Sequence, residues 1–395
     1  MTPPRSGFMN LPKGKPLNFS AVIPAAGFSS RMHQYKPLLR FGNTTMVETV
    51  IRLFQCCGIM DILVVTGHNQ DLLKPIIQKA GARPVFNPNF ETGMFGSIQK
   101  GVEQVSKESK GFFLLPVDIP AIRPATILSI VAAFEKGCNT VIIPEFEQAP
   151  GHPPLIPARL IPAILGMDSN SNLGKILLSQ KDRLVRHPVH DRGILLDADT
   201  KEGYEILTQK YQCLDIPDKE ECNSIIQSIL PGETAIQSHL TLVAKTALKL
   251  GQALEKGQNS KNNKNISTHL NKNLIQAAAL LHDIKRKEKD HARAGSLLLA
   301  DLGFDQVANI VAEHMTLGPE NLIPEDMITE KEIVYFADKL CNGSHVETNY
   351  AKRFADKIKQ VPQAKTKIFQ RYEATQQIQA RIEAATGHSI HTILQ

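Results

Sequence analysis

The sequence predicts an α/β unit followed by an all-α unit, on three observations. From Phe19 to about Gln209 short apolar runs alternate with amphipathic stretches, the pattern of strand–helix units feeding a mostly parallel sheet. From about Gln237 apolar residues recur at three- and four-residue spacing, as on helix faces. The 395 residues are two to three times the commonest domain length, so one domain is not expected.

Taken in order, residues 1–18 are basic and Pro-rich, lack the apolar core of a secretory signal, and are expected to be a flexible lead-in. Residues 19–212 hold the α/β unit. Its strands are read in FSAVIPAAG, DILVVTGHN, ARPVFNPN, GFFLLPVDIP and NTVIIPEF, and its helices in MVETVIRLFQCC, DLLKPIIQKAG and PATILSIVAAFEKG. Residues 213–236 are polar with two prolines and are expected to form a linker, as a hinge or a short bridging helix. Residues 237–350 hold the helical unit, with HLTLVAKTALKLGQAL, NLIQAAALLHDIK and KEIVYFADKLCNG as its clearest helices. Within it, 256–273 is rich in Lys and Asn with almost nothing to bury, which predicts a mobile insertion. Residues 351–395 have helical composition and are expected to form a helical tail that either packs on the helical unit or mediates contacts.

Composition narrows the class. Hydrophobic residues at 42% and charged residues at 21% exclude a disordered or collagen-like chain. A formal charge of +6 over this length is too mild for a dedicated nucleic-acid binder and suits anionic small substrates. No run approaches the roughly 18 apolar residues of a membrane span, so no membrane partner is expected. Six cysteines without a C-x-x-C pair are no disulfide framework and predict reduced thiols in a cytoplasmic protein.

The first group of chemistry-bearing residues follows the first strand. In PAAGFSSRMHQYKPLL the small residues Ala25 and Ala26 and Gly27 allow backbone N–H groups to face a triphosphate, while Arg31 and Lys36 supply positive charge. The segment has neither the Walker pattern nor G-x-G-x-x-G, so another kind of nucleotide site is required. Read singly, Asp118 serves as a turn residue or N-cap, Lys36 as a solvated surface lysine and Ser29 as a helix cap. Asp197 and Asp199 are balanced between metal ligands and N-caps of KEGYEIL, and His152 shapes a loop around Pro153 and Pro154.

Together these residues resemble the MobA-like nucleotidyltransferase family. Ala25, Ala26, Gly27, Ser29, Arg31, Met32 and Lys36 match its A-[AG]-G-x-S-x-R-M-G-x-x-K pattern, with His33 where the family usually has Gly. Gly93 to Ser97 resembles its G-M-x-x-S segment, and Val117-Asp118-Ile119-Pro120 stands for G-D-M-P. Gly151-His152-Pro153 matches G-[NH]-P, and Asp197-Ala198-Asp199-Thr200 matches D-x-D-T. The resemblance implies a Rossmann-like, mostly parallel sheet that binds nucleotide through Ala25, Ala26, Gly27, Ser29, Gly93 and Ser97. It implies Mg²⁺ on Asp118 with Asp199, and charge stabilisation by Arg31 and Lys36. Ala at position 26 resembles the molybdenum-cofactor cytidylyltransferases, which favours CTP over GTP.

The second group lies on the predicted helices: His239, the pair His282-Asp283, His291, His314 and Asp338. The order resembles the H…HD…D pattern of the HD metal-dependent phosphohydrolase superfamily, with the Lys/Asn-rich segment lengthening the stretch between His239 and His282. By that resemblance His239, His282, Asp283 and Asp338 hold a first metal, and His291 and His314 a second, with Asp283 bridging. Mixed imidazole and carboxylate ligands suit Mn, Fe, Ni, Co or Zn rather than Ca, and such a metal activates water near neutral pH. Lys285, Arg286 and Lys287 either attract a phosphate substrate or form a solvated helix end.

The expectation is therefore a bifunctional enzyme, a cytidylyltransferase joined to an HD phosphohydrolase of unstated substrate. Its implied partners are CTP, a molybdopterin-type cofactor, and a molybdoenzyme or its maturation factor. The alternatives are transfer to a sugar phosphate or other phosphate acceptor, and an HD unit that binds metal or ligand as a regulatory module.

Overall fold

The computed structural model describes residues 16–27, 34–137, 139–258, 270–322 and 327–395. The lead-in expected over 1–18 lies almost wholly outside them, as does the core of the expected insertion 256–273. Two compact units divide between Leu214 and Asp215. Among the described residues no helix is long and apolar enough to cross a membrane.

The first unit runs β1 (Phe19–Pro24), the short hairpin β2 (Arg40–Phe41) and β3 (Thr44–Thr45), α1 (Met46–Cys56), β4 (Asp61–Thr66), α2 (Gln70–Lys79) and β5 (Arg83–Phe86). It continues α3 (Met94–Glu103), β6 (Gly111–Leu114), α4 (Pro124–Lys136), β7 (Val141–Phe146), β8 (Ala149–Pro150), β9 (Leu155–Pro157), α5 (Ile161–Leu165), α6 (Leu173–Ser179), β10 (Leu184–Pro188) and α7 (Lys201–Gln212). All but β2 and β3 of these strands form one eight-stranded sheet in the order β10-β7-β9-β6-β1-β4-β5, with β8 on β7. The β1, β4, β5 and β6 pairings are parallel, whereas β9 runs antiparallel to both β6 and β7.

Strand β1 is buried at all six residues, as an apolar run between two parallel neighbours must be. Its side chains alternate between two cores: Ala21 and Ile23 pack with α1 and α4, Val22 with Phe95 and Ile98 of α3. Helix α3 lies so close to the sheet that a Cβ on Gly101 would meet Val22 Cγ1 at 2.4 Å, which excludes larger residues there. The chain builds outward from β1 through β4 to β5, then returns through α3 to β6 on the other side of β1. That reversal leaves a crevice beyond the carboxyl ends of β1 and β6, where open α/β sheets bind ligands.

The second unit comprises α8 (Lys219–Ile229), α9 (Thr234–Gln258), α10 (Lys272–Leu281), α11 (His291–Asp301), α12 (Asp305–Glu313) and α13 (Glu330–Leu340). A two-residue hairpin follows, β11 (Cys341–Asn342) and β12 (His345–Val346), then α14 (Ala351–Gln360), α15 (Lys365–Thr386) and α16 (Ile390–Leu394). The 25-residue α9 packs against α10, α13, α15 and α16.

The structure narrows two expectations. The stretch 213–236 is not a linker between units: α8 carries a capping box, Asp218 with Glu221, and buries Cys222, Ile225 and Ile226 in packing that includes α10. Three- and four-residue apolar spacing outweighed its polar composition. The tail 351–395 is part of the second unit, because α15 buries Ile368, Ile378 and Ile382 in packing that includes α9 and α13.

Candidate nucleotide site and candidate metal centre

In the first unit one cavity of about 510 Å³ opens at the crevice. Ala25, Ala26, Gly27, Lys36, Gly93, Ser97, Asp118 and Asp199 all line it, so the structure brings together every described residue expected there. Ser29 and Arg31, with Met32 and His33, lie outside the described residues.

Lys36 sits in a short 3₁₀ turn before Pro37 and is 9% exposed. Its Nζ donates to Asp118 Oδ2 at 3.0 Å and to Asp199 Oδ1 at 2.6 Å. Burial alone would lower the pKa of this ammonium, but the bonds to Asp199 and Asp118 outweigh it and the value is raised. Asp118 stands just beyond β6, and its carbonyl accepts from Ala198 N at 3.0 Å, which ties the 197–200 loop to the strand end. The N-cap of α7 is Thr200, which accepts from Gly203 N, rather than Asp197 or Asp199; Asp197 accepts from Asp199 N. Asp199 accepts from Lys36 through Oδ1.

Ala26 and Tyr35 each bond to the backbone of a residue that motif reading passed over. His68 N donates to Ala26 O at 3.2 Å, and Tyr35 Oη donates to His68 O at 2.8 Å. Gly67 permits this, since a Cβ there would meet Phe90 at 2.5 Å and Ala26 O at 2.9 Å. At Gly27 itself a Cβ would meet nothing within 4 Å, so the small residue leaves open space rather than relieving a clash. Gly93, at φ 121°, begins α3, and Ser97 accepts from Asn87 Nδ2 at 3.0 Å. Phe90 and Glu91 also line the cavity. His152 lies nearby, and its imidazole pKa is lowered by burial, against the pull of Asp118 and Asp197.

In the second unit two triads gather, His239 with His282 and Asp338, and Asp283 with His291 and His314. The His282-Asp283 pair is not inside a helix as the sequence suggested. α10 ends at Leu281, His282 is its C-cap, and the following bonds are of i→i+3 type, Ile284 N to Leu281 O and Arg286 N to Asp283 O. His314 likewise caps α12. Both histidines place Nδ1 on the carbonyl three residues back, His282 on Ala279 at 2.8 Å and His314 on Val311 at 2.7 Å. In the neutral imidazole, Nδ1 donating to a carbonyl leaves the lone pair on Nε2, the form that a metal would take.

Those Nε2 atoms, and Asp283 Oδ1, are buried without a hydrogen-bond partner. Asp283 Oδ1 is 3.2 Å from His291 Nε2 and 3.4 Å from His314 Nε2. Asp338 Oδ1 is 3.2 Å from His239 Nε2 and 3.5 Å from His282 Nε2. Ligands about 2.1 Å from one ion at octahedral or tetrahedral angles stand about 3.0 to 3.4 Å apart. Asp283 Oδ2, 3.7 Å from His282 Nε2, faces the other triad, so one carboxylate spans both. Burial opposes ionisation of Asp283, but the His291 and His314 imidazoles outweigh it and hold the carboxyl well below its usual range. The orphaned acceptors and their spacing fit divalent metal.

A crevice at a sheet reversal with lysine-bridged carboxylates, in a unit followed along the chain by a helical unit with a His/Asp cluster, defines a nucleotidyltransferase-type fold and a helical fold with a candidate metal centre. Residues 21–184 are a MobA-like NTP transferase domain and residues 236–343 an HD domain. The chain is 27% identical over 192 residues to molybdenum cofactor cytidylyltransferase of Escherichia coli (strain K12), covering 48% of this chain and 95% of that protein. It is 25% identical over 202 residues to nicotine blue oxidoreductase of Paenarthrobacter nicotinovorans, covering 49% and 96%. Among solved structures it is similar to Rv0371c of Mycobacterium tuberculosis H37Rv, at 20% identity and TM-score 0.43, over 50% of this chain and 100% of that one.

Proposed function

We propose that the first unit transfers CMP from CTP to the phosphate of a molybdopterin-type cofactor, with Mg²⁺, and that the second unit is a metal-dependent phosphohydrolase. The observation that carries the first reading is Lys36 bridging Asp118 and Asp199 in the crevice lined by Ala25, Ala26 and Gly27. An acceptor phosphate oxygen attacks the α-phosphorus of CTP, the bond to the β-phosphate oxygen breaks, and pyrophosphate leaves. Both partners are anions, so neutralisation and in-line positioning carry the rate.

Asp118 and Asp199 would hold Mg²⁺, which prefers one or two carboxylates with phosphate oxygens. Bound there, the ion neutralises the triphosphate. Lys36, kept protonated by those same carboxylates, supplies a fixed positive charge where charge develops on the α-phosphate. Residues at the start of α3 and after β1 line the same cavity, and backbone amides at a helix start suit phosphate oxygens. Similarity to the Escherichia coli cytidylyltransferase and Ala at position 26 support CTP and the molybdenum cofactor.

In the second unit His239, His282, Asp283 and Asp338 would hold one metal, with His291 and His314 holding another through Asp283. Mn, Fe, Ni, Co or Zn there would polarise a phosphoryl oxygen and activate water. The chain's own contribution is to fix the tautomers of His282 and His314 and to keep Asp283 ionised.

The test offers CTP, GTP, ATP and UTP with Mg²⁺ and molybdenum cofactor, and reads pyrophosphate. Release with CTP and the cofactor supports the reading; release only with a sugar phosphate replaces the acceptor, and release with GTP replaces the base. For the second unit, phosphoester hydrolysis lost in Asp283→Ala supports catalysis, whereas stoichiometric metal without turnover makes it a regulatory module.

A further inference from the structure

The HD match ends at residue 343, yet the cavity beside the His/Asp cluster continues well beyond it. It measures about 770 Å³, has His239, Asp283 and Asp338 in its wall, and is completed by α14 and α15 of the tail. Arg353, Asp356, Lys357 and Gln360 line it from one face of α14, at the i, i+3, i+4, i+7 spacing of a helix stripe. Lys352 and Arg371 add to the same wall.

Lys339 and Arg286, nearer the cluster, already have carboxylate neighbours in Asp338 and Asp283. The four cations of the tail differ. Among the described residues none of Lys352, Arg353, Lys357 and Arg371 forms an ion pair, and Arg353 donates instead to the Cys341 carbonyl at 2.8 Å. Glu347 and Asp356 are the opposing charges in the wall besides Asp283 and Asp338, and Glu347 is engaged by Asn342. The cations crowd one another: the Lys357 ammonium has its pKa lowered by burial and by repulsion from Lys339, Arg371, Arg353 and Arg286. An aromatic group holds α14 in this place, with Phe354 5.3 Å from Tyr372 and 6.0 Å from Tyr350, centroid to centroid.

A single phosphoryl group carries about two negative charges, which two divalent ions at the cluster would offset alone. Four further cations, concentrated in one concave wall, call for further phosphates. We propose that the tail helix α14, with Arg371 of α15, forms the binding wall for a chain of linked phosphates, so that the HD unit takes an oligophosphate, such as a nucleoside polyphosphate, rather than a simple monoester. This deepens the phosphohydrolase reading and rests on it.

The experiment uses the full chain loaded with Mn²⁺, in a Lys36→Ala background so that the first unit's triphosphate site does not contribute. Calorimetry measures binding of inorganic tripolyphosphate and inorganic phosphate, and hydrolysis is followed for tripolyphosphate and p-nitrophenyl phosphate. Tripolyphosphate should bind more tightly than phosphate. Lys352→Ala and Lys357→Ala should each weaken tripolyphosphate binding about tenfold, with phosphate binding changed less than twofold. If both variants bind tripolyphosphate as before, or phosphate binds equally well, the oligophosphate wall is wrong, while metal-dependent hydrolysis of either compound keeps the phosphohydrolase reading. If the variants behave as expected but neither compound is hydrolysed, the phosphohydrolase reading falls and the wall stands. Loss of both results removes both.

Discussion

Lys36 is the residue on which the first site turns, because one ammonium meets two carboxylates from strand-end loops far apart in sequence. Lys36→Met should lower pyrophosphate release by at least about a hundredfold, the scale of losing one preorganised charge in a transition state, measured at saturating CTP. Asp283→Ala should remove bound transition metal from the purified chain, measured by metal analysis, since that carboxylate faces both triads. Asp61 gives a pH prediction. Burial pushes its carboxyl up, but Ser20, Arg83 and the Ser106 amide outweigh this and lower it from 3.8. A carboxyl lower in the folded chain than in the unfolded one adds stability in full above the unfolded value, and that stability is lost as pH falls through the folded value. Asp61→Asn should therefore shrink the gap between urea midpoints at pH 6 and pH 3.5. The glycine loop, Asp118 and the His-Asp pair were legible because their types and spacing are local. His68 was not, since its part is played by backbone atoms that any residue carries.

At the scale of elements, helix ends set the metal centre. His282 and His314 are both C-caps, and a sequence pattern that marks a helix does not mark the residue at which its hydrogen bonds shift. Asp338 rides on α13, which opens with a capping box of Thr329 and Glu332. Thr329→Ala should cost about 1 kcal/mol of stability in the second unit, read by urea denaturation of the metal-free chain. In the first unit Gly101→Val should cost more than about 1 to 3 kcal/mol, because α3 cannot back away from Val22 without disturbing the strand before Ala25. A short helix in 213–236 was one of the two readings its sequence allowed, but its packing into the second unit through Cys222, Ile225 and Ile226 was obscured by prolines and charges. The role of α14 was not legible in the sequence, since only the fold brings Arg353 and Lys357 into the cavity wall that also holds His239 and Asp283.

At the scale of the molecule, the chain divides into two units, one built on a mostly parallel sheet and one on packed helices, and the proposed function gives each its own phosphate chemistry. The alternation of apolar runs made that division readable, whereas the antiparallel β9 between β6 and β7 was not, since pairing direction leaves no mark in a three-residue apolar strand. Transition metal should slow amide exchange in α9, α10 and α13 and leave the sheet around β1 unchanged, read by hydrogen-exchange mass spectrometry. The most direct test is stoichiometry. With CTP, Mg²⁺ and molybdenum cofactor, mass spectrometry should find one cytidine diphosphate-linked pterin for each pyrophosphate released, and neither product in Asp118→Asn. Pyrophosphate formed at the same rate by that variant, or no nucleotidyl product from any acceptor phosphate, would contradict the assignment of the crevice.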